Sequence, residues 1–526
     1  MPGKKYLPAF AAPLGAVTLS GAVTSLAFPD ARLWPLVLAG LVPFLLVIQD
    51  KQPRAAFGWG FLFGVIHFIF MTYPLVTLMV DYGQLPLPAS LPFYLICVTY
   101  LALYPAFFGL GLVFLRRRFG ALPGKTAWIL FGAALFTGLE YFKSLIFTGL
   151  KWAPLGAALV PSVRLIQFVD LIGPEGLTFL AVLVNLSLTG AILGWRQGDR
   201  RRVAAGLIIP ALALGLAYGY SFYRLPQVRR AMAEAPQRKV AVVQGAIDQS
   251  VKWDAKSRVL TLRTYGDLTR QAAKANPWLI VWPETAAPFY YLHDQASTEW
   301  LHQVARLAGV PLLFGAPAFE ERDGRDHYYN RAYLIAPPDR VIGHYDKEHL
   351  VPFGEYVPLK KYLPFLAKIT DASGDYEPGE KNKALDLDGD RIGVLICFES
   401  VFQGLARRRV LDGAEFLVVI TNDAWFGRTA APFHHFDQAV LRAVENRRPV
   451  IRAANTGISG LIAPDGTVGE TLGLFERNFL VGQVPRLDEK TVYTAIGDLF
   501  ARGCLGAALL ILCGAIIGRT KNAKRP

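Results

Sequence analysis

Eight long apolar blocks decide what this chain can become. They lie at 8–27, 33–49, 55–76, 88–115, 127–147, 171–194 and 203–222, with one more at 495–517 after a long polar middle. Each is close to the roughly 20 residues that an α-helix needs to cross a bilayer. The bulk balance agrees: 53% of residues are hydrophobic and only 18% charged, proportions that suit a membrane protein better than a soluble one. The spacing therefore predicts an all-α bundle of eight spanning helices with a separate polar domain between the seventh and the eighth. Pro92 and Pro105 would kink or shorten the fourth helix. The first block also has marks of a cleaved signal, with Lys4 and Lys5 before it and Ser25 and Ala27 near its end. It is longer than the roughly 7 to 15 apolar residues of such a signal, however, and it fits the charge alternation of the whole set.

That alternation predicts orientation. Lys4, Lys5, Lys51, Arg54, Arg116, Arg117, Arg118, Lys125, Arg196, Arg200, Arg201, Arg202, Arg519, Lys521, Lys524 and Arg525 fall in alternate connections, with only Asp50 and Asp199 beside them. The opposite short connections hold Arg32, Lys151 and Arg164. Basic residues stay on the cytoplasmic side, so both termini are expected there and the polar middle across the membrane. These connections also account for the formal charge of +14, because the rest of the chain balances at 39 basic and 39 acidic residues. A nucleic-acid partner needs a basic face on the folded domain, and none is indicated.

Domain boundaries are expected at 1–223 for the first seven helices, 224–490 for the polar domain, and 491–526 for the last helix and tail. Within the middle, short apolar runs recur at 240–245, 278–284, 311–317, 331–337, 391–399, 416–423, 449–457 and 459–466. Four to six apolar residues flanked by turn formers read as buried strands. Polar helix-length segments at 255–275, 297–308 and 432–447 separate several of them. This is an α/β pattern, with helices covering sheets, and Pro464, Asp465 and Gly466 mark a hairpin turn that makes part of the sheet antiparallel.

Of four cysteines, Cys97, Cys504 and Cys513 fall in membrane blocks, leaving Cys397 alone in the polar domain without a disulfide partner. An unpaired thiol in an oxidising compartment is either a small buried hydrophobe or a reactive group, and position alone does not separate the two. Its companions do. A nucleophilic thiol needs a base or a positive charge beside it. Glu284 ends the run "LIVWPE", and Lys347 lies in "HYDKEHLVPFGEYVP".

"WPET" with Glu284, "YDKEHLVPFGEY" with Lys347 and Glu355, and "ICFES" with Cys397 together resemble the Glu, Lys, Cys arrangement of the nitrilase superfamily. With seven apolar spans before and one after, the chain resembles the apolipoprotein N-acyltransferase family of the bacterial inner membrane. The resemblance implies an α/β nitrilase-like sandwich, in which helices cover two mixed β-sheets, on the eight-helix bundle. It also implies a phospholipid acyl donor, usually phosphatidylethanolamine, and an acceptor that is the α-amino group of a lipoprotein's diacylglyceryl-cysteine. Cys397 would be the nucleophile and carry the acyl chain as a thioester. Glu284 would be the general base. Lys347, with the backbone amide of Phe398, would stabilise the oxyanion. Glu355 would either orient the lysine or thiol, or transfer a proton itself.

Both substrates carry acyl chains, whose exposure costs about 0.8 kcal/mol per CH₂, so the site must meet them at the bilayer. Trp253, the aromatic group Phe289, Tyr290 and Tyr291, the segment 350–358, and Trp425 with Phe426 are candidates for an apolar entry, with ordinary packing as the alternative. Glu399, Asn422, Asn455 and Thr456 would line or brace the pocket. Glu140, Lys143, Asp170 and Glu175 would be costly facing lipid, and the basic members nearby serve as interfacial anchors or phosphate contacts. No metal and no organic cofactor is expected: His344, His349, His434 and His435 form no familiar zinc motif, and no glycine-rich phosphate loop is present. Two rivals are a membrane-tethered nitrilase-like amidase, which would deliver the acyl group to water, and a transport or scaffold protein.

Overall fold

The computed structural model describes residues 7–28, 33–120, 125–248, 255–357, 375–380 and 383–522. They form two compact units: Met1–Leu75, Pro88–Arg224 and Ile496–Pro526 make one, and Val76–Leu87 with Leu225–Ala495 the other.

The first unit is helical because its blocks are apolar on every side. Among the described residues, five helices are long and apolar enough to cross a membrane: Pro53–Thr72, Leu87–Phe119, Glu175–Arg196, Arg200–Glu234 and Leu499–Ile517. The expected eight are not confirmed. The block at 33–49 breaks into a 3₁₀ turn, Trp34–Leu38, and a seven-residue helix, Val42–Ile48. Asn185 compensates the break from inside the bundle: its Oδ1 accepts from Leu41 N at 2.8 Å and its Nδ2 donates to Val37 O at 2.8 Å. Irregular backbone at such a place is tolerated only where protein satisfies it. Leu87–Phe119, by contrast, stays one helix of 33 residues through Pro92 and Pro105. Gly60 and Gly64 lie against that helix so closely that an added Cβ at Gly60 would meet Pro105 O at 2.4 Å, the small-residue packing that lets membrane helices approach.

The charged groups at 140, 151, 170 and 175 are partnered within this unit. Lys151 pairs with Glu175 at 2.5 Å, both buried, and Asp170 accepts from Arg224 at 3.0 Å and Tyr220 at 2.8 Å. Glu140 accepts from Leu155 N and the Thr178 hydroxyl, while the Lys143 ammonium lies 5.6 Å from the Phe68 ring. Lys151 is thus half of a buried ion pair rather than an anchor.

The second unit is a sandwich of two six-stranded mixed sheets. One has the order β12-β1-β2-β3-β4-β5 and the other β11-β10-β9-β8-β7-β6. The strands are β1 Gln237–Gln244, β2 Leu279–Val281, β3 Leu312–Arg322, β4 Arg325–Ala336, β5 Arg340–Asp346, β6 Leu385–Leu387, β7 Asp390–Ile396, β8 Phe416–Thr421, β9 Val450–Ala454, β10 Ser459–Ile462, β11 Val468–Leu472 and β12 Asn478–Pro485. In each sheet three central strands run parallel (β1, β2, β3 and β7, β8, β9) and the flanking strands pair antiparallel.

Side chains on alternate strand positions face opposite ways, and two cores result. Val240, Val242, Val281 and Leu334 meet Val394, Ile396, Val418 and Ile451 between the sheets. Val243, Trp282, Phe314 and Tyr333 lie on the outer face with Leu262, Leu268, Leu301 and Val304, which come from the helices Ala255–Ala273 and Gln295–Ala308. On the second sheet, Gln403–Leu411 and Ala431–Asn446 are the corresponding helices. The hairpin expected at 464–466 joins β10 to β11, with Gly466 at φ +86°.

Candidate active site

The site is assembled where strands of both sheets end. The chain leaves β2 through Trp282 and Pro283 to Glu284, and it runs so close to β3 that only glycine fits opposite. A Cβ on Gly315 would meet Thr285 N at 2.5 Å and Glu284 Cα at 2.7 Å. The Glu284 carboxylate is 7% exposed and held at both oxygens, by Asn330 Nδ2 from β4 at 2.7 Å and by the Asn422 backbone amide beyond β8 at 2.9 Å.

Lys347 follows β5 directly, and its own amide donates to Asn330 O at 2.9 Å. Its Nζ lies 2.9 Å from Glu355 and 3.6 Å from Glu284, with 1% of the side chain exposed. Asn330 Nδ2 also donates to Glu355 at 2.8 Å, so one amide and one ammonium hold two carboxylates together. Burial alone would strip the lysine of its proton, but Glu355 and then Glu284 outweigh it and lift the pKa above the usual lysine range. A buried cation is tolerated because it is paired.

Cys397 is the first residue after β7 and opens a 3₁₀ turn, Cys397–Val401. Its φ is +53°, a left-handed conformation that a non-glycine residue holds only when its surroundings enforce it. Burial pushes the thiol well above the ordinary cysteine range; the Glu284 charge pushes further, Lys347 opposes, Asp423 adds to the rise, and the Thr421 hydroxyl opposes it. Glu284 and Lys347 are therefore both within electrostatic reach of the sulfur and act on it in opposite senses.

Sequence comparison fits this geometry. Residues 239–492 match the carbon-nitrogen hydrolase family, and residues 20–187 match the apolipoprotein N-acyltransferase N-terminal domain. An apolipoprotein N-acyltransferase of Geobacter metallireducens is 39% identical over 497 residues, covering 94% of this chain and 93% of that protein. One from Caulobacter vibrioides is 32% identical, covering 96% and 94%. The chain belongs to the apolipoprotein N-acyltransferase family. Among solved structures, an amidase of the nitrilase superfamily from Nesterenkonia is 21% identical with a TM-score of 0.38, covering 51% of this chain and 99% of that one.

In this member of the acyltransferase family, Glu399 braces the loop that carries Lys347. Its carboxylate accepts from the amides of Ile396 at 2.7 Å, Glu348 at 2.7 Å and His349 at 3.1 Å, and from the Tyr345 hydroxyl at 3.0 Å. Burial lifts its carboxyl to about 7 against the pull of the Ile396 amide, the Lys347 charge and the other two amides. Asn455 links two loops: its amide accepts from Ile247 N at 3.0 Å and donates to Ile247 O at 2.7 Å and Asn422 Oδ1 at 3.1 Å. The buried Thr456 hydroxyl has no hydrogen-bond partner among the described residues. Phe398 is half-buried, its ring packed edge-on against Phe402 at 5.1 Å.

Trp425 packs edge-on against Tyr82 at 5.5 Å, a residue of the Val76–Leu87 segment that belongs to this unit. Phe289 and Tyr291 are not at an apolar opening; they are 3% and 1% exposed and part of the outer core, while Tyr290 is half exposed. In the segment 350–358, Phe353 is exposed. Trp253 and Pro358 lie outside the described residues.

Two groups were missed by the sequence reading. Asn330, the donor shared by Glu284 and Glu355, immediately precedes the apolar run at 331–337, and a lone amide inside a buried strand was its signal. His435, read only as a helix residue, touches the backbone of Cys397.

Proposed function

We propose that this protein transfers a fatty acyl chain from a phospholipid to the N-terminal α-amino group of the diacylglyceryl-cysteine of lipoproteins, through a thioester on Cys397. The observation that carries this reading is a half-buried cysteine in a left-handed turn, within electrostatic reach of a carboxylate and an ammonium that are themselves 3.6 Å apart, in a chain whose N-terminal region matches the acyltransferase domain.

Glu284 takes the thiol proton as Sγ attacks the ester carbonyl of the phospholipid. Lys347, with the Phe398 amide, stabilises the tetrahedral oxyanion, a role in which one donor is typically worth about 10²–10³ in rate. The C–O bond breaks, Glu284 returns the proton to the departing alkoxide, and lysophospholipid leaves. In the second half Glu284 takes a proton from the lipoprotein amine as the nitrogen attacks the thioester. The C–S bond then breaks, an amide forms and the thiol is restored. Glu355 holds Lys347 in place: its oxygens accept from Lys347, Asn330 and the Val351 amide.

The family setting is a bacterial inner membrane. The basic connections support cytoplasmic termini and a catalytic domain on the periplasmic side, spanning 224–490, with helices on either side of it in the chain. Incubating the purified protein with phosphatidylethanolamine and a diacylated lipopeptide tests transfer directly. N-acylated peptide with matching lysophospholipid is expected. Free fatty acid with unmodified peptide would make the protein a membrane-tethered hydrolase instead.

A further inference from the structure

A second buried network holds the nucleophile from behind. The Cys397 carbonyl oxygen accepts from Ser400 Oγ at 3.0 Å and lies 3.0 Å from His435 Nε2. Ser400 Oγ and His435 Nε2 are 2.9 Å apart. On the other side of the ring, His435 Nδ1 is 2.8 Å from Asp423 Oδ1, and Asp423 Oδ2 accepts from Arg452 at 2.8 Å. Ser400, His435, Asp423 and Arg452 are all 2% exposed or less. They come from four elements: the turn after β7, the helix Ala431–Asn446, the loop after β8, and β9.

A carbonyl and a carboxylate oxygen only accept. His435 presents Nδ1 to the Asp423 carboxylate and Nε2 to the Cys397 carbonyl and the Ser400 hydroxyl, so an N–H on either ring nitrogen meets an acceptor. Arg452 Nη2 lies 3.2 Å from Nδ1, and the Asp423 carboxylate bridges the two side chains. Burial lifts the Asp423 carboxyl, but His435 and Arg452 outweigh it and hold it at about 2. Gly457 belongs to the same assembly, since a Cβ there would run into the Asp423 carboxylate.

We propose that His435 is a positioning residue that, together with Ser400, pins the Cys397 carbonyl and so enforces the left-handed backbone that aims the sulfur. Ser400, His435 and Asp423 share the composition of a hydrolase triad, but Ser400 is sealed from solvent and its hydroxyl is committed to the carbonyl, so the group is a clamp and not a second nucleophile. The inference rests on Cys397 being the nucleophile.

Single-turnover release of lysophospholipid by the full-length protein in detergent tests it. H435A is expected to slow it about 100-fold, the usual cost of an ångström of misplacement, with KM for phospholipid changed less than about twofold. H435Q, which keeps one N–H donor, is expected to recover about tenfold of that loss. Release by H435A within about threefold of the parent would sink the clamp, whereas retained activity in C397A would sink the reading of the nucleophile itself.

Discussion

Lys347 carries its charge at 1% exposure, between two carboxylates and beside a thiol. Burial normally discharges a lysine, and the two carboxylates offset that cost here; in the proposed mechanism the retained charge meets the oxyanion. Glu399 sets the pH behaviour of that arrangement. Its carboxyl sits at about 7, above its ordinary 4.5, so it gains a proton as pH falls through 7. A neutral carboxyl then brings an O–H among three amide donors and a phenol. Acyl transfer is expected to decline below about pH 7, and E399Q, a permanent copy of the neutral form, to be slow with little pH dependence across that window; rate against pH measures both. The sign for stability follows from linkage. Because the folded state holds this proton more tightly, its contribution to stability is present below about 4.5 and is lost as pH rises toward 7. At this scale the sequence was most legible where residue types are chemically unusual: a lone cysteine in the polar domain, and a lysine and glutamate in motif. Asn330 and His435 escaped because amides and imidazoles are common in ordinary packing, and only their neighbours in space distinguish them.

The elements show where periodicity informs and where it fails. The eight apolar runs expected as strands correspond to β1–β4 and β7–β10. The four strands without such a run are β5, β6, β11 and β12, which are the four edges of the two sheets. Three of them carry charge, as in Arg340–Asp346 or Val468–Leu472, and so lack a continuous apolar signature; β12 is uncharged but its apolar residues are broken by Gly482 and Gln483. The membrane block at 33–49 failed for a different reason: hydropathy reports burial, whereas Asn185, far away in sequence, supplies the partners that permit a break. Contact between elements also yields a prediction. G315A would force β3 and the Glu284 backbone apart, since the new Cβ would lie 2.5 Å from Thr285 N. Overpacking of this kind costs about 1–3 kcal/mol. A lowered melting temperature and an acyl-transfer rate reduced at least about tenfold are expected; unchanged values for both would contradict the close approach.

For the whole molecule, charge and hydropathy divide the work. Sixteen basic residues in alternate connections are expected to orient the helices, and the rest of the chain balances its own charge. That domain buries its core between two sheets and under helices, so its fold is set by its own residues. Orientation is open to direct test. A single reporter cysteine at Gly324, in the exposed turn between β3 and β4, is expected to react with a membrane-impermeant maleimide in intact spheroplasts. One at Gly198, in the basic connection 196–202, is expected to react only after lysis. The reverse pattern would invert the topology.

The central claim is that Cys397 carries the acyl chain. Mass spectrometry of the protein after incubation with phosphatidylethanolamine, with no acceptor present, tests it most directly. The predicted result is one fatty acyl group on the peptide containing Cys397, removed by hydroxylamine and absent from E284Q. An unmodified Cys397 in protein that still releases lysophospholipid, or an acyl group on any other residue, would contradict the account.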